Sequence, residues 1–392
     1  MIAVQQAKQI IQDAVTEGEI KELPLLDAFG CTLAHDIIAT TDIPNFAQSS
    51  MDGYAVKFED KDKPLTIIGE MAAGIANQLT IQSGQATRIF TGAPLPNGAD
   101  TVIMQEKVSI DNKLLTLQDD NLSLGLNVRP KGAEVKSGEL AMAKGTHLSA
   151  AALGFLAGIG CTHASVYAAP KAAIILTGNE LQEPGKPLAF GQVYEANSVL
   201  LTAALNKAGI TNITILRSED NPDVLASVLQ SALEISDIVL LNGGVSVGDY
   251  DYVVGAAAAC GIEQKFHKIK QKPGKPLFFG TMQDKLIFGL PGNPSSGLTC
   301  FYEYVLPALE KSMHKQPSLI TATATATDDY GKPAGLTHFI KAFYKEGRAT
   351  PLHAQESFRL HSFAQANCFI VLPEESTGCK AGDTVDVHLL PL

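Results

Sequence analysis

From Lys171 onward, short β-branched apolar segments alternate with amphipathic segments of helical length. The order is a strand AAIILT, a helix around 198–208, a strand NITILRSED, a helix PDVLASVLQSALE and a strand DIVLLNGG. Such alternation predicts a mostly parallel sheet covered by helices. Ligands of these sheets bind at the carboxyl ends of the strands, so we expect the loops TGNE, RSED, NGGVSVGD and LPGNPSS to meet at one edge.

The rest of the chain has different patterns. Apolar residues at helical spacing open it, short β-like segments with glycine and proline follow, and alternating strands close it. We therefore predict a multidomain α/β plus β protein. Its predicted parts are a discontinuous N-terminal helical/β domain (1–39 and 137–169), a β-rich insertion domain (40–136), a central α/β domain (170–315) and a small C-terminal β-barrel-like domain (316–392).

Charge and cysteine usage exclude several classes of protein. The 41 acidic and 30 basic residues give a net charge of −11, which opposes binding to nucleic acids and anionic membranes. The longest apolar segment, 149–160, is too short to cross a bilayer, and the N-terminus lacks the pattern of a signal peptide. Six cysteines without a C-x-x-C pair indicate free thiols in a reducing compartment. We expect a cytoplasmic protein.

The segment LNGGVSVGDYD is typical of a phosphate-binding loop. Gly243 and Gly244 permit positive φ and close approach of a ligand, and Ser246 follows them. Asp249 and Asp251 would repel a phosphate unless a divalent cation lies between them. The alternative is a tight turn with a solvated end.

Carboxylates and lysines complete the candidate site. Glu180 and Asp220 each follow a strand-like segment and could join the two aspartates around one Mg²⁺, although each alone could be a helix cap or a solvated loop residue. Pro291 and Pro294 fix a bend at a helix start that suits an oxyanion. The basic residues lie in KFHKIKQKPGKP, whose alternation puts Lys268, Lys270 and Lys272 on one face, with Lys275 beyond the bend. They suit an anion, or else protect a sheet edge.

Six motifs occur in the order found in the molybdopterin molybdenumtransferase family, which is related to the C-terminal domain of gephyrin. They are SSMDGYAV, FTGAPLP, LTGNEL, GGVSVGDYD, KPGKP and LPGNP, and the resemblance covers 1–392. It implies a four-part subunit and an elongated homodimer, with a cleft between the α/β domain of one chain and the N-terminal parts of the other. It also implies Mg²⁺-dependent cleavage of adenylated molybdopterin, transfer of molybdate to the dithiolene and release of AMP, with a separate protein delivering the adenylated pterin.

The resemblance and the loop analysis together assign the site residues. The catalytic set is Asp52, Glu180, Asp220 and Asp251. The metal set is Glu180, Asp220, Asp249 and Asp251. The substrate- and anion-binding set is Thr91, Arg129, Glu134, Gly243, Gly244, Ser246, Lys268, Lys272, Lys275, Pro291, Pro294, Lys341 and Ser362.

Several positions depart from the family pattern. They are Ala47 in FAQSSMDGYA, Glu134, Asn179 in LTGNEL, the 195–197 segment, and Lys341 where an arginine is usual. Lys341 keeps the charge but loses the two-pronged geometry of a guanidinium. Two alternatives therefore stay open. One is a pterin-binding scaffold without catalysis, and the other is a phosphohydrolase that acts on a different adenylylated compound.

Overall fold

The computed structural model describes residues 1–74, 78–244 and 252–391. The chain divides into two compact units. The first consists of Met1–Leu23, Asp27–Ala34 and Ser165–Leu392, and the second consists of Pro24–Leu26 and His35–Ala164. Within the described ranges, we find no helix whose length and apolar character would let it span a bilayer. The four-domain boundaries given above stay a prediction.

In the described part of the first half of the chain, two α-helices lie among many short strands. The helices are α1 (Val4–Ala14) and α2 (Ala150–Gly158). The strands are β1 (Ile20–Pro24), β2 (Thr32–Leu33), β3 (Ile37–Ile38), β4 (Gln48–Ser49), β5 (Gly53–Val56), β6 (Leu65–Met71), β7 (Gln85–Ile89), β8 (Thr101–Met104), β9 (Val108–Asp111), β10 (Leu114–Leu117), β11 (Val128–Arg129), β12 (Leu140–Met142) and β13 (His163–Tyr167).

The second unit is built around a mixed sheet in the order β8-β5-β7-β6-β10-β9. Strand β5, which carries the end of the SSMDGYAV motif, is buried along its whole length. Its side chains alternate between two apolar clusters, with Tyr54 and Val56 in one and Ala55 in the other. Both faces of the sheet are therefore covered, as the alternation of a strand requires. The β-rich character expected for this region is confirmed.

The central part of the chain alternates strands and helices. Its strands are β14 (Ala172–Thr177), β15 (Leu181–Gln182), β16 (Val193–Tyr194), β17 (Ile213–Ser218), β18 (Ile238–Asn242), β19 (Glu263–His267), β20 (Gln271–Lys272), β21 (Phe278–Met282) and β22 (Lys285–Leu290). Its helices are α3 (Asn197–Ala208), α4 (Pro222–Ile235), α5 (Tyr252–Ala259), α6 (Pro294–Cys300) and α7 (Leu306–Ser312), the last two joined by a π-helical turn at Phe301–Val305.

The main sheet has the order β17-β14-β18-β22-β21-β19. Its first four strands are parallel, and β21 and β19 are antiparallel. Strands β14 and β18 are buried throughout, as expected of a sheet covered on both sides. One face packs against α1, α3, α6 and α7, and the other packs against α4 and α5. The predicted parallel α/β domain is confirmed.

The C-terminal region forms a closed five-stranded barrel. Its elements are β23 (Ile320–Ala326), β24 (Tyr330–Gly331), β25 (Thr337–Lys345), β26 (Arg348–Pro351), α8 (Leu360–Phe363), β27 (Cys368–Leu372), β28 (Gly378–Cys379) and β29 (Thr384–Leu389). The ring runs β25-β26-β23-β29-β27 and closes through the pairing of β25 with β27. Buried Ile340, Ile370 and Val387 fill the interior. Strand β20 of the α/β region pairs in parallel with the first two residues of β25.

Candidate active site

A cavity of about 910 Å³ lies at the carboxyl ends of the four parallel strands. Each strand supplies the loop that follows it. The contributions are the 177–181 segment after β14, Asp220 after β17, the 242–244 segment after β18 and the 292–294 segment after β22. The four loops expected to meet at one edge of the sheet therefore line one cavity. Among the predicted site residues, the cavity brings together Glu180, Asp220, Gly243, Gly244 and Pro294.

Asp220 is held by the loop after the neighbouring strand. The backbone amide of Asn179 donates to Asp220 Oδ2 over 3.2 Å, and Asn179 Oδ1 accepts from the Asp220 amide over 3.5 Å. The helix-start signal at this point belongs instead to Asn221, whose side chain accepts from the amides of Asp223 and Val224. Asp220 is therefore not needed as the cap of α4 and lies on the cavity wall.

Glu180 lies over a glycine that leaves room for its carboxylate. Gly178 has φ of +141°, and a Cβ added there would lie 2.7 Å from Glu180 Oε2. A larger residue at this position would force the carboxylate away from its place. Glu180 and Asp220 thus provide two carboxylates, from the ends of different strands, that line the same cavity.

The glycine loop approaches the adjacent strand closely. Gly243 has φ of +89°, and a Cβ there would lie 2.6 Å from both the carbonyl oxygen and Oγ1 of Thr177. Glycine at this position is thus required by the packing of β18 against β14 as well as by backbone conformation. The hydroxyl of Thr177 is buried and has no hydrogen-bond partner among the described residues.

Two asparagines that the sequence analysis did not select organise the loop after β22. Asn197 Nδ2 donates to Asn242 Oδ1 over 2.6 Å and to the carbonyl of Gly292 over 2.8 Å. Asn242 Nδ2 donates to the carbonyl of Pro291 over 3.1 Å. Pro291 itself is buried and is not part of the cavity lining. The signal that could have revealed this network is an asparagine at the end of the apolar run IVLLN.

The side-chain oxygen of Asn197 resembles the Thr177 hydroxyl in lacking a hydrogen-bond partner among the described residues. This Oδ1 atom is buried. Both Asn197 and Thr177 line the cavity, so two unpaired polar atoms belong to its wall. Leaving buried polar groups unpaired costs free energy, so these two atoms make this wall a candidate for binding a polar ligand. In contrast, Ser295 and Ser296, which follow Pro294 at the helix start predicted to suit an oxyanion, are buried in α6.

The basic segment lies outside this cavity lining. Ile269 and Gln271 are buried, while Lys268 and Lys270 are half-buried and Lys272 is exposed. This agrees with the predicted alternation. Lys270 Nζ is 2.6 Å from Glu374 Oε1 and is therefore neutralised.

Lys272 and Lys275 remain as charges available for an anion. Both side chains are exposed, and neither forms an ion pair within the described ranges. The bend that separates them is held by Gln271, whose Nε2 donates to the carbonyl of Pro273 over 2.9 Å. Tyr304 donates its hydroxyl hydrogen to Gln271 Oε1. The segment is therefore anchored to the core while its two lysines face solvent.

The predicted residues of the second unit include one close pair. Asp52 Oδ1 accepts from the amide of Thr91 over 2.8 Å and from its hydroxyl over 2.9 Å. These two hydrogen bonds hold the pKa of Asp52 below its ordinary value. Arg129 lies on β11 and contacts Gln48 Oε1 at 3.4 Å, and Glu134 is exposed.

Lys341 and Ser362 lie elsewhere than expected. Lys341 is only 2% exposed, and its ammonium donates to the carbonyls of Ala354 (2.9 Å) and Arg359 (3.0 Å). Ser362 Oγ, also buried, donates to the carbonyl of Ala354 over 2.7 Å. Backbone carbonyls therefore occupy the donors of both side chains, and their contact with substrate or anion stays a prediction that this geometry does not support.

The remaining predicted residues, Ser246, Asp249 and Asp251, lie outside the described residues. Across 1–74, 78–244 and 252–391, no group of three or more histidine, cysteine, aspartate or glutamate side chains could hold a metal ion. Glu180 and Asp220 are the two predicted metal ligands that the structure describes, and both line the cavity.

Three family profiles match successive parts of the chain. They are the MoeA N-terminal region (domain I and II) at 2–160, the "Probable molybdopterin binding domain" at 173–311 and the MoeA C-terminal region (domain IV) at 323–390. The described cavity residues from Thr177 to Pro294 fall within the second match.

Full-length relatives and solved structures agree with these matches. The chain is 33% identical over 406 residues to the molybdopterin molybdenumtransferase of Haemophilus influenzae, with 100% of both chains covered. It is 35% identical over 399 residues to that of a Nostoc species, covering 97% of this chain and 90% of the relative. A crystal structure of the molybdopterin biosynthesis moeA protein from Pyrococcus horikoshii superposes with a TM-score of 0.86 at 30% identity, covering 99% of each chain. The chain belongs to the molybdopterin molybdenumtransferase family.

Proposed function

We propose that this protein inserts molybdate into the dithiolene of adenylated molybdopterin, with cleavage of the adenylate and release of AMP. The observation that carries the proposal is the placement of Glu180 and Asp220 in one cavity with the unpaired polar atoms of Thr177 and Asn197. Two carboxylates beside polar groups that lack partners suit a phosphorylated ligand bound together with a cation. Family membership supports the same substrate class.

Magnesium fits the described side chains. Glu180 and Asp220 present hard oxygen donors from two strand ends, and Mg²⁺ is usually held by one or two carboxylates together with substrate phosphates. We propose these residues as ligands, with Asp249 and Asp251 as the further ligands expected from the sequence. When bound, Mg²⁺ would neutralise phosphate charge at the bond that is cleaved.

The protein's own residues bind and orient the substrate. Asn179 fixes Asp220, and Gly178 leaves space for the carboxylate of Glu180. Lys272 and Lys275 attract the anionic substrates, molybdate among them. Because the chemistry at sulfur belongs to the pterin, positioning and charge compensation are the contributions that the protein must make.

We further propose a cytoplasmic homodimer in which Asp52, Thr91, Arg129 and Glu134 of one chain serve the site of the other, as the family resemblance implies. A separate protein would deliver the adenylated pterin. The two hydrogen bonds from Thr91 to Asp52 Oδ1 support this grouping, because they already hold two of the four residues together.

The test is AMP release from adenylated molybdopterin by the purified full-length protein, with and without molybdate and Mg²⁺. Release that needs both ions supports the proposal, and Glu180→Gln should abolish it. Glu183→Gln is the matched control, because Glu183 lies three residues further on, pairs with Lys186 at 2.7 Å and does not line the cavity.

The two alternatives predict different results. A scaffold would bind the pterin tightly and release no AMP. A phosphohydrolase would release AMP from other adenylylated compounds without molybdate. Either result would overturn the proposed activity.

A further inference from the structure

One aromatic side chain from the barrel reaches the cavity of the α/β region. Phe358 lies in the segment between β26 and α8, here called the barrel loop (residues 352–359), and it lines the 910 Å³ cavity. Its ring is 60% exposed. The guanidinium carbon of Arg359 lies 5.5 Å from the ring centroid. An exposed ring with a cation beside it, in a cavity lined mainly by polar groups, is suited to stacking on a planar ligand.

The barrel loop is attached directly to the cavity wall. Asn293, in the loop after β22, donates from Nδ2 to Ser357 Oγ over 2.9 Å. Ser357 immediately precedes Phe358, so this hydrogen bond fixes the backbone beside the ring. The position of Phe358 is therefore set relative to the strand ends that carry the carboxylates.

The buried ammonium of Lys341 ties two points of the barrel loop together. Its hydrogen bonds to the carbonyls of Ala354 and Arg359 span the residues on either side of Phe358. Gln355 adds bonds to both backbone groups of Lys341, accepting from its amide over 3.0 Å and donating to its carbonyl over 2.8 Å. Ser362 donates to the carbonyl of Ala354 as well.

Burial of the Lys341 ammonium costs free energy, which its hydrogen bonds to the barrel loop offset. Burying a cation is unfavourable, and burial lowers the pKa of Lys341. The carbonyls that compensate it belong to the one loop that carries Phe358. Lys341 therefore restricts the barrel loop. Its side chain is not part of the cavity lining, so it does not contact a ligand there.

We propose that Phe358 stacks on a fused heteroaromatic ring of the substrate, and that Lys341 is a positioning residue that holds Phe358 in place through the barrel loop. This rests on the proposed function, in which the substrate carries two such rings, a pterin and an adenine. The shared chemistry is a flat, fused heterocycle that contains nitrogen. Phe358 thus determines specificity for the ring, while the carboxylates act on the phosphate end.

The test measures binding separately from turnover. We expect Phe358→Leu to weaken binding about tenfold for either AMP or molybdopterin, each titrated alone by calorimetry, and Phe358→Tyr to retain affinity. Weaker AMP binding identifies adenine as the stacked ring, and weaker molybdopterin binding identifies the pterin. Unchanged binding of both ligands to Phe358→Leu would overturn the proposal.

Lys341 is tested by its coupling to Phe358. Lys341→Met should raise KM by about as much as Phe358→Leu with kcat nearly unchanged, and the double variant should add little to either single change. Lys341→Arg introduces the residue usual in the family and should keep the affinity of the parent protein, in contrast to Lys341→Met. Additive effects in a double variant with a native melting temperature would contradict the positioning role. If Lys341→Met does not fold, the Phe358 variants alone decide the proposal.

The outcomes also separate this inference from the proposed function. A protein that never releases AMP but loses ligand affinity on Phe358→Leu would refute the activity and retain the stacking role. Normal molybdate-dependent AMP release with unchanged KM in Phe358→Leu would support the activity and refute the stacking role.

Discussion

Asn179 and Asp220 hold each other by reciprocal hydrogen bonds between backbone and side chain across the ends of two neighbouring strands. The pair joins the loop after β14 to the loop after β17. Because Asn179 carries an amide, the pair adds a single negative charge, that of Asp220, to the cavity wall.

Asn179→Asp should strengthen the response to Mg²⁺. A second carboxylate beside Asp220 adds repulsion in the absence of a cation, which lowers the melting temperature, and adds a ligand charge in its presence. We expect the Mg²⁺ dissociation constant to fall by roughly two- to tenfold. Thermal unfolding with increasing Mg²⁺ measures this. Asn121→Asp, an exposed position in the other unit, is the control, and an equal Mg²⁺ response in both variants would contradict a metal role for this pair.

Gly243→Ala should damage the site more than an ordinary left-handed glycine would. Gly125 has φ of +79° with nothing within 4 Å of an added Cβ, so Gly125→Ala reports the conformational penalty alone, about 1–2 kcal/mol. Gly243→Ala also displaces Thr177, and we expect a further loss of about 1–3 kcal/mol and at least a tenfold lower turnover. Urea unfolding and AMP release provide the two measurements. Equal effects of the two substitutions would show that the close approach to Thr177 is unimportant.

His338 should make the protein sensitive to mild acid. The side chain is 4% exposed, and burial together with Lys332 and Lys272 lowers its pKa from 6.5 to about 4. Between these values the unfolded chain binds a proton that the folded protein does not, so stability falls as pH decreases from 6.5 to about 4. The loss is about 3 kcal/mol at most.

His338→Gln should remove that part of the pH dependence. Urea unfolding at pH 7 and pH 4.5 should show a smaller loss of stability on acidification than in the parent protein. The exposed His353 gives the control His353→Gln, which should leave the slope unchanged. A parental slope in His338→Gln would show that other groups dominate the acid response.

Lys275→Ala and Lys270→Ala should differ in anion binding. Lys275 is exposed without an ion pair in the described structure, whereas Lys270 is neutralised by Glu374. We expect Lys275→Ala to weaken molybdate binding about tenfold at low salt and less at high salt, and Lys270→Ala to change it less than about twofold. Calorimetric titration with molybdate at two ionic strengths tests this. A larger effect at Lys270 would place the anion elsewhere.

The parallel sheet and the meeting of its loops could be predicted because the periodicity of βα units determines which strand ends face the same way. Glu180 and Asp220 followed directly from that geometry. Asn197 and Asn242 could not be found in this way. Asn242 stands beside a glycine pair, where an asparagine is equally typical of a turn, and Asn197 is the first residue of α3 and directly follows none of the parallel strands.

The burial of Lys341 could not be predicted for a related reason. In the alternating strand HFIKAFY, a lysine is expected to face solvent or a ligand, and nothing local shows that carbonyls 13 and 18 residues later surround it. Closure of the barrel likewise depends on pairing between β25 and β27, and the placement of Phe358 at the cavity depends on a contact between Ser357 and the distant Asn293. Sequence periodicity reports which face a residue occupies, and it does not report which distant loop covers that face.

The pairing of β20 with β25 makes deletion of the barrel an unsafe experiment. Gln271 and Lys272 align with Thr337 and His338, and the amide of Thr337 donates to the carbonyl of Lys270 over 3.0 Å. A truncated protein ending near residue 315 would lose its barrel. It would also lose the backbone hydrogen bonds between β20 and β25, which lie beside Lys272 and Lys275. The α/β region and the barrel are consecutive in sequence, but backbone hydrogen bonds between β20 and β25 join them. An α/β region cut off at that point would therefore not keep its structure unchanged.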